Sequence, residues 1–139
     1  MADDAKALAQ RFYDEVMGKG SLEAVDEIIA DDFVEHEAMP GLTPGKDGLK
    51  QWVTMMRGAF PDLQVEVVSM AADGDEVWAQ VIARGTHKGP FMDIPATGNS
   101  IEMAMFDRIR LRDGQAVEHW GVAQDLAMMQ QLGVIPEMG

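Results

Sequence analysis

The amino-acid sequence predicts an α+β fold in which helices pack on one face of a curved antiparallel β-sheet and enclose a cone-shaped apolar pocket, an α+β barrel. The main observation is a change of period, because apolar residues recur every three or four positions before Pro61 and every second position after it. The length of 139 residues fits one domain, which we expect to span 1–139. Pockets between helices and a sheet are common ligand sites.

Three helices are expected in the first sixty residues. The first has apolar residues at helical spacing and two aspartates in its opening turn, and it ends before Gly20. Ser21 is a favourable N-cap for a second, shorter helix. Pro44 is suited to the first position of a third helix, which Pro61 terminates. Between the second and third helices, residues 33–37 alternate like a short strand.

The second half of the chain predicts four antiparallel strands. Runs rich in β-forming residues occupy 63–71, 76–87, 100–111 and 116–122. Asp73-Gly74 and Asp113-Gly114 lie between consecutive runs, where glycine supplies the positive φ of a tight hairpin turn. Two of the three connections are therefore expected to be hairpins.

The third connection, 88–99, is longer than a hairpin and contains two prolines. Long loops of this kind often carry functional residues, so we expect it to form the rim of the cavity. A last short helix is expected over 125–132, with Gly133 as its C-terminal signal.

Charge and composition restrict the partners of the protein. Eleven Lys and Arg against 24 Asp and Glu give a net charge of −13, which repels nucleic-acid phosphates and anionic lipid headgroups. We therefore expect neither nucleic acid nor a membrane as a partner. The chain has no cysteine, no Gly-rich phosphate loop and no paired-histidine metal motif, so neither a cofactor nor a metal is expected. The acidic N-terminal segment differs from a basic signal peptide, which favours a cytoplasmic location.

Two histidines are candidate catalytic residues. His36 alternates with Glu35 and Glu37 and shares a side with Val34, which predicts an inward ring that can donate a hydrogen bond to a substrate carbonyl. His87 follows a strand and is expected near the cavity mouth. The alternative for each is a structural histidine whose hydrogen bonds are satisfied within the fold.

Asp107 is a third catalytic candidate because it interrupts an apolar strand face that includes Met103 and Met105. A carboxylate on such a face needs a partner or a function. We expect it to pair with Arg84 or Arg108 if the face is solvated, and the alternative is a catalytic acid–base pair with Asp125.

His119 and Trp120 are adjacent in a strand, so only one of them can face the cavity. An inward Trp120 is a flat wall for an aromatic or polycyclic ligand, with ordinary core packing as its alternative, and His119 then lies on the opposite face. The other side chains expected to contact a small apolar carbonyl or polycyclic ligand are Phe12, Trp52, Met56, Phe91 and Met105.

Several short blocks accompany this order of elements. They are Gly89-Pro90-Phe91, Ile94-Pro95-Ala96-Thr97-Gly98, Asp113-Gly114, Glu118-His119-Trp120, Asp125 and Gln131-Leu132-Gly133. Together they resemble the SnoaL-like polyketide cyclases of the nuclear-transport-factor-2-like superfamily, over nearly the whole chain. The resemblance implies an intramolecular aldol condensation without metal or cofactor, in which an acidic residue is the base. The residue that matches this base is Asp125.

Asp125 is therefore the expected general base, since a carboxylate in an apolar cone has a raised pKa. Its alternative is a helix cap, because aspartate is a favoured N-cap. Other activities of the superfamily stay open, because one scaffold also carries isomerases and epoxide hydrolases, and in a hydrolase Asp107 has to serve as the second acid. A non-catalytic module for a lipophilic ligand is the remaining alternative, and a homodimer through the broad sheet face is expected.

Overall fold

The computed structural model describes residues 2–136 as an α+β fold. The first helix, α1, is Ala2–Arg11 and continues as a π-helical segment, Phe12–Met17. The remaining elements are α2 (Leu22–Ile28), β1 (Ile29–Glu35), α3 (Lys46–Ala59), β2 (Gln64–Asp73), β3 (Glu76–Thr86), β4 (Ser100–Arg112), β5 (Gln115–Ala123) and α4 (Asp125–Gln131). The predicted order of elements is confirmed.

The helix boundaries follow local chemistry. Ser21 caps α2 as predicted, because its hydroxyl oxygen accepts a hydrogen bond from the N–H of Ala24 at 3.1 Å. Helix α3 begins at Lys46, two residues later than Pro44 predicts. Gly45 precedes it with φ of 76°, a left-handed conformation that a helix cannot include.

One five-stranded sheet has the order β1-β5-β4-β3-β2. Strands β2 to β5 pair antiparallel as predicted, and the Asp73-Gly74 and Asp113-Gly114 turns have the expected positive φ at Gly74, Asp113 and Gly114. Strand β1 adds in parallel to β5, so the sheet is mixed rather than fully antiparallel. Because β1 and β2 are the two edges, the curved sheet stays open and is not a closed barrel.

The core lies between the helices and the inner face of the sheet. Alternate residues of β3, from Val77 to Ala83, are at most 5% exposed, and Val16 and Val53 of the helical layer are equally buried. This alternation is typical of a sheet with one covered face. Between the two layers the packing leaves a cavity of about 570 Å³, as the sequence predicts.

The outer face of the sheet has no helix over it among the described residues and exposes Trp78, Phe106 and Val122. These side chains form an apolar strip that agrees with the expected homodimer, which stays a prediction. Within residues 2–136, no helix is long and apolar enough to cross a membrane.

Candidate active site

The cavity is lined mainly by apolar side chains from α1, α3, α4 and the inner face of the sheet. Apart from Trp120, five apolar side chains are predicted to contact ligand. All five lie in this lining: Phe12, Trp52, Met56, Phe91 and Met105. Their contact with a ligand stays a prediction. The lining also includes the methionines Met17, Met39, Met92, Met103, Met128 and Met129. Methionine adapts its shape to irregular apolar partners, so this wall suits a flat, apolar ligand.

A chain of four hydrogen-bonded polar side chains interrupts the apolar lining. The Tyr13 hydroxyl donates to Oδ2 of Asp107 at 2.6 Å, and Oδ1 of Asp107 lies 2.9 Å from Nε2 of His119. The other ring nitrogen of His119, Nδ1, lies 2.6 and 2.7 Å from the two carboxylate oxygens of Glu35. We call Tyr13, Asp107, His119 and Glu35 the polar cluster.

The sheet register brings three of these residues together. Asp107 on β4 lies opposite Gly121 on β5, and Glu35 on β1 is the register partner of His119. Residues 119 and 121 of one strand share a face, so His119 reaches Asp107 diagonally. Gly121 leaves the space for this contact, because a Cβ there would lie 2.6 Å from Oδ1 of Asp107 and 2.9 Å from Cε1 of His119.

Tyr13 reaches the cluster from the helical layer. It lies in the π-helical segment, is fully buried, and packs edge to face on Phe12 with 5.4 Å between the ring centroids. Short π-helical segments are frequent at functional sites, because they change the direction of side chains within a helix. Burial and the charge of Asp107 raise the pKa of Tyr13, so its hydroxyl remains a donor to the carboxylate.

The charge of His119 is set by its two carboxylate neighbours. Burial disfavours the charged ring, but the hydrogen bonds and charges of Asp107 and Glu35 outweigh it and raise the pKa of His119 to about 9. Its side chain is 22% exposed, and those of Asp107 and Glu35 are 10% and 21% exposed. At neutral pH the cluster therefore holds an imidazolium between two carboxylates.

The prediction that His36 points into the cavity is wrong. Its ring lies on the outer face, stacked on Trp120 with centroids 4.4 Å apart, and its Nε2 lies 2.8 Å from Glu118. Phe33 and Glu35 face inward instead, on the same side as Ile29. Both Phe33 and Val34 are apolar, so alternation alone did not choose the buried side.

Trp120 also faces outward, so an inward wall formed by Trp120 is a wrong prediction. Its ring lies under the guanidinium of Arg108, 4.2 Å from the ring centroid. His119, one residue earlier, faces the cavity instead. The statement that only one of the two can face inward is confirmed.

His87 does not reach the cavity mouth. Its side chain is fully buried beside Phe60 and is absent from the cavity lining of the described residues. Nδ1 of His87 accepts the backbone N–H of Thr97 at 3.2 Å, so this histidine has local backbone partners. The expected place of His87 is therefore corrected.

Asp107 lies in the cavity lining and not on a solvated face, and it pairs with neither Arg84 nor Arg108. Arg108, the next residue along the strand, projects to the outer face and pairs with Glu76 at 3.1 Å. Arg84 pairs with Glu66 at 2.9 Å. The partners of Asp107 are instead Tyr13 and His119, which the sequence places 94 and 12 residues away.

Asp125 also lines the cavity, at the first residue of α4. Its side chain is exposed, so the desolvation on which its predicted role depends is not provided. The helix cap alternative is wrong as well, because Gln124 is the N-cap and no side chain caps the helix. The role of Asp125 as base stays a prediction.

Sequence reasoning missed Glu35 and Tyr13. The only signal for Glu35 is its position two residues after Phe33 in a strand. No local pattern identifies Tyr13, since its partner Asp107 comes from a distant strand. Among residues 2–136, no three His, Cys, Asp or Glu side chains have an arrangement suited to a metal ion.

Comparisons with known proteins agree with this architecture. IdmH of Streptomyces antibioticus, a provisional polyketide cyclase, is 35% identical over 94% of this chain and 99% of its own, with a TM-score of 0.80. A provisional polyketide cyclase from Bacillus cereus is 28% identical over 95% of this chain and 82% of its own, with a TM-score of 0.83. TsrD of Streptomyces laurentii shares the fold, at 21% identity over 96% of this chain and 97% of its own and a TM-score of 0.87.

A search among curated proteins finds no match. The family model of the SnoaL-like polyketide cyclases, in contrast, matches residues 7–132, a range that contains the whole polar cluster. The chain belongs to the SnoaL-like polyketide cyclase family.

Proposed function

We propose that the protein catalyses the intramolecular aldol ring closure of a small, apolar polycarbonyl compound of the polyketide class, with Asp107 as the general base. The observation that carries this proposal is the polar cluster, in which a carboxylate is held by Tyr13 and the His119 imidazolium inside an apolar cavity. A positioned carboxylate in such a site is the arrangement that general-base catalysis requires.

The proton balance of the reaction needs no other reagent. A carboxylate oxygen of Asp107 takes a proton from the carbon between two carbonyls, and the electron pair of that C–H bond forms the enolate. The enolate carbon attacks a further carbonyl of the same molecule, which is not one of the two that flank it, and this step forms the new C–C bond and an alkoxide. The alkoxide then takes the proton back from Asp107, so the cluster returns to its starting state.

The charge of His119 supports the enolate. No Lys or Arg is among the lining side chains of the described residues, so His119 is the one cation that faces the ligand. A fixed positive charge in an apolar site stabilises developing negative charge more strongly than it does in water. Glu35 keeps the ring charged and fixes its orientation through Nδ1.

The epoxide-hydrolase alternative fits this geometry less well. It needs Asp107 as an acid that donates a proton to the leaving oxygen. Both carboxylate oxygens of Asp107 instead accept hydrogen bonds, from the Tyr13 hydroxyl and from His119. This arrangement favours an ionised acceptor and hence a base.

The test is deuterium exchange into ethyl benzoylacetate, a neutral aromatic β-keto ester, followed by NMR with wild type, Asp107→Asn and Asp125→Asn. We expect wild type to exchange the carbon-bound proton above the buffer rate and Asp107→Asn to lose at least about 100-fold of that rate. Asp125→Asn is the matched control, since it makes the same chemical change in the same cavity, and it should keep most of the rate.

The opposite results have distinct meanings. Loss of exchange only in Asp125→Asn assigns the base to Asp125, as the family resemblance implies. Equal exchange in all three proteins contradicts general-base catalysis and favours the module that binds a lipophilic ligand, for which the apolar lining is sufficient.

A further inference from the structure

His87 is fully buried and lies outside the polar cluster. It follows β3 directly, at the start of the connection to β4. Phe91 in this connection is 2% exposed and forms part of the cavity wall. The position of His87 therefore affects a segment that contacts the ligand space, although His87 itself does not.

Hydrogen bonds join His87 to the far end of the same segment. The N–H of His87 donates to the carbonyl of Asn99 at 2.9 Å, and the N–H of Gly98 donates to the carbonyl of His87 at 2.8 Å. The N–H of Thr97 donates to Nδ1 of the ring at 3.2 Å, and the Thr97 hydroxyl lies 3.0 Å from the same nitrogen. One residue thus connects both ends of 88–98.

These contacts fix the tautomer of the ring. A backbone N–H can only donate, so Nδ1 is an unprotonated acceptor and the proton is on Nε2. Nε2 is buried and has no hydrogen-bond partner among residues 2–136. An unpaired buried N–H is costly, so the hydrogen bonds that Nδ1 accepts have to offset that cost.

Packing connects the ring to the cavity wall. The ring centroid of Phe60 lies 5.5 Å from the ring centroid of His87 and 5.8 Å from that of Phe91. The same segment is joined to the end of α3, since the N–H groups of Lys88 and Gly89 both donate to the carbonyl of Ala59. Gly89 is required there, because a Cβ would lie 2.2 Å from the carbonyl oxygen of Gly58.

We propose that His87 is a positioning residue: its neutral ring, with Nδ1 as acceptor, clamps the ends of 88–98 together and holds Phe91 as a wall of the cavity. This role shares one assumption with the proposed function, namely that the cavity is the ligand site. The clamp acts on ligand affinity and not on the proton transfer at Asp107.

The test compares His87→Asn with His87→Leu. The Oδ1 atom of Asn occupies nearly the place of Nδ1 and accepts a hydrogen bond, whereas Leu fills a similar volume without an acceptor. We expect amide hydrogen exchange in 88–98 to rise in His87→Leu and to stay near wild type in His87→Asn. In calorimetry, the Kd for ethyl benzoylacetate should rise roughly fivefold to tenfold in His87→Leu only, the effect of one lost hydrogen bond, with kcat for deuterium exchange within about twofold of wild type.

Several results would overturn the clamp. They are equal amide protection in all three proteins, loss of protection in both variants, or a fall in kcat with an unchanged Kd. Nitrogen-15 NMR of wild type gives a further measurement that needs no variant, and a proton on Nδ1 of His87 would contradict the proposal. Amide exchange and the tautomer need no turnover, so this proposal and the role of Asp107 can fail separately.

Discussion

A histidine lies next to a carboxylate on each face of β5, and the two pairs have contrasting surroundings. On the inner face, His119 is 22% exposed and lies between Asp107 and Glu35. On the outer face, His36 is 36% exposed and pairs with Glu118, which also binds Arg110. The residue types are the same, and only the inner pair belongs to an apolar cavity.

The candidate chemistry therefore depends on burial in the cavity and on the number of charged partners, and not on the histidine–carboxylate pair itself. Inside, two carboxylates share one cation, which raises the pKa of His119 to about 9 despite its burial. Outside, the hydrogen bond from His36 and the guanidinium of Arg110 hold the pKa of Glu118 below its usual value. A carboxylate whose pKa is lowered in this way is a weaker base, whereas in the inner pair Asp107 and Glu35 share one cation.

The largest effect is expected from filling the space beside the inner pair. In Gly121→Ala, the new Cβ displaces Asp107 or His119, and we expect the rate of exchange into ethyl benzoylacetate to fall about 100-fold. The matched control is Gly58→Ala on an exposed position of α3, where a Cβ meets no atom within 4 Å and the rate should stay unchanged. A full rate in Gly121→Ala would show that the Asp107–His119 geometry is not needed.

A matched pair of Glu→Gln variants compares the two faces directly. Glu35→Gln removes one of two charges beside His119, so the pKa of His119 should fall by roughly one unit or more in an NMR titration. Glu118→Gln removes the outer carboxylate and should leave the His119 titration unchanged. Equal shifts in both variants would mean that the strand, rather than the direct contact, couples the two faces.

Stability should depend on pH through the inner histidine. The folded pKa of His119, about 9, lies above its unfolded value of 6.5, so the stabilisation is complete below about pH 6.5 and is lost as the pH rises through 9. Its size is on the order of 3 kcal/mol. Urea unfolding at pH 6.5 and pH 10 measures it. The difference should shrink in His119→Asn and persist in His36→Asn, and the reverse pattern would contradict the assignment.

The smallest effect is expected on the outer face. Trp120→Leu removes the stacking on His36 and the contact with Arg108, which should lower the free energy of unfolding by about 1 kcal/mol. The exchange rate of ethyl benzoylacetate should be unchanged, because Trp120 is on the face opposite the cavity. A lower exchange rate with normal stability would restore the substrate-binding role that the sequence predicts.

Regular alternation explains which site residues were predictable. Asp107 was found because it breaks the apolar alternation of β4, a regular strand with a continuous register to β3. Glu35 was missed because Phe33 and Val34 are adjacent apolar residues, so alternation alone leaves open which of them faces the core. Choosing Val34 as the buried residue assigns every side chain of the strand to the opposite face, which exchanged Glu35 and His36.

The sequence by itself determined the elements, their order, the hairpin turns, the capped second helix and the family, because each depends on local periodicity, turn chemistry or short motifs. Only the tertiary structure decided that Asp107, His119, Glu35 and Tyr13 meet. These four come from two inner strands, an edge strand and a helical segment. Their contacts depend on sheet register and on helix packing over the sheet, which local sequence does not encode.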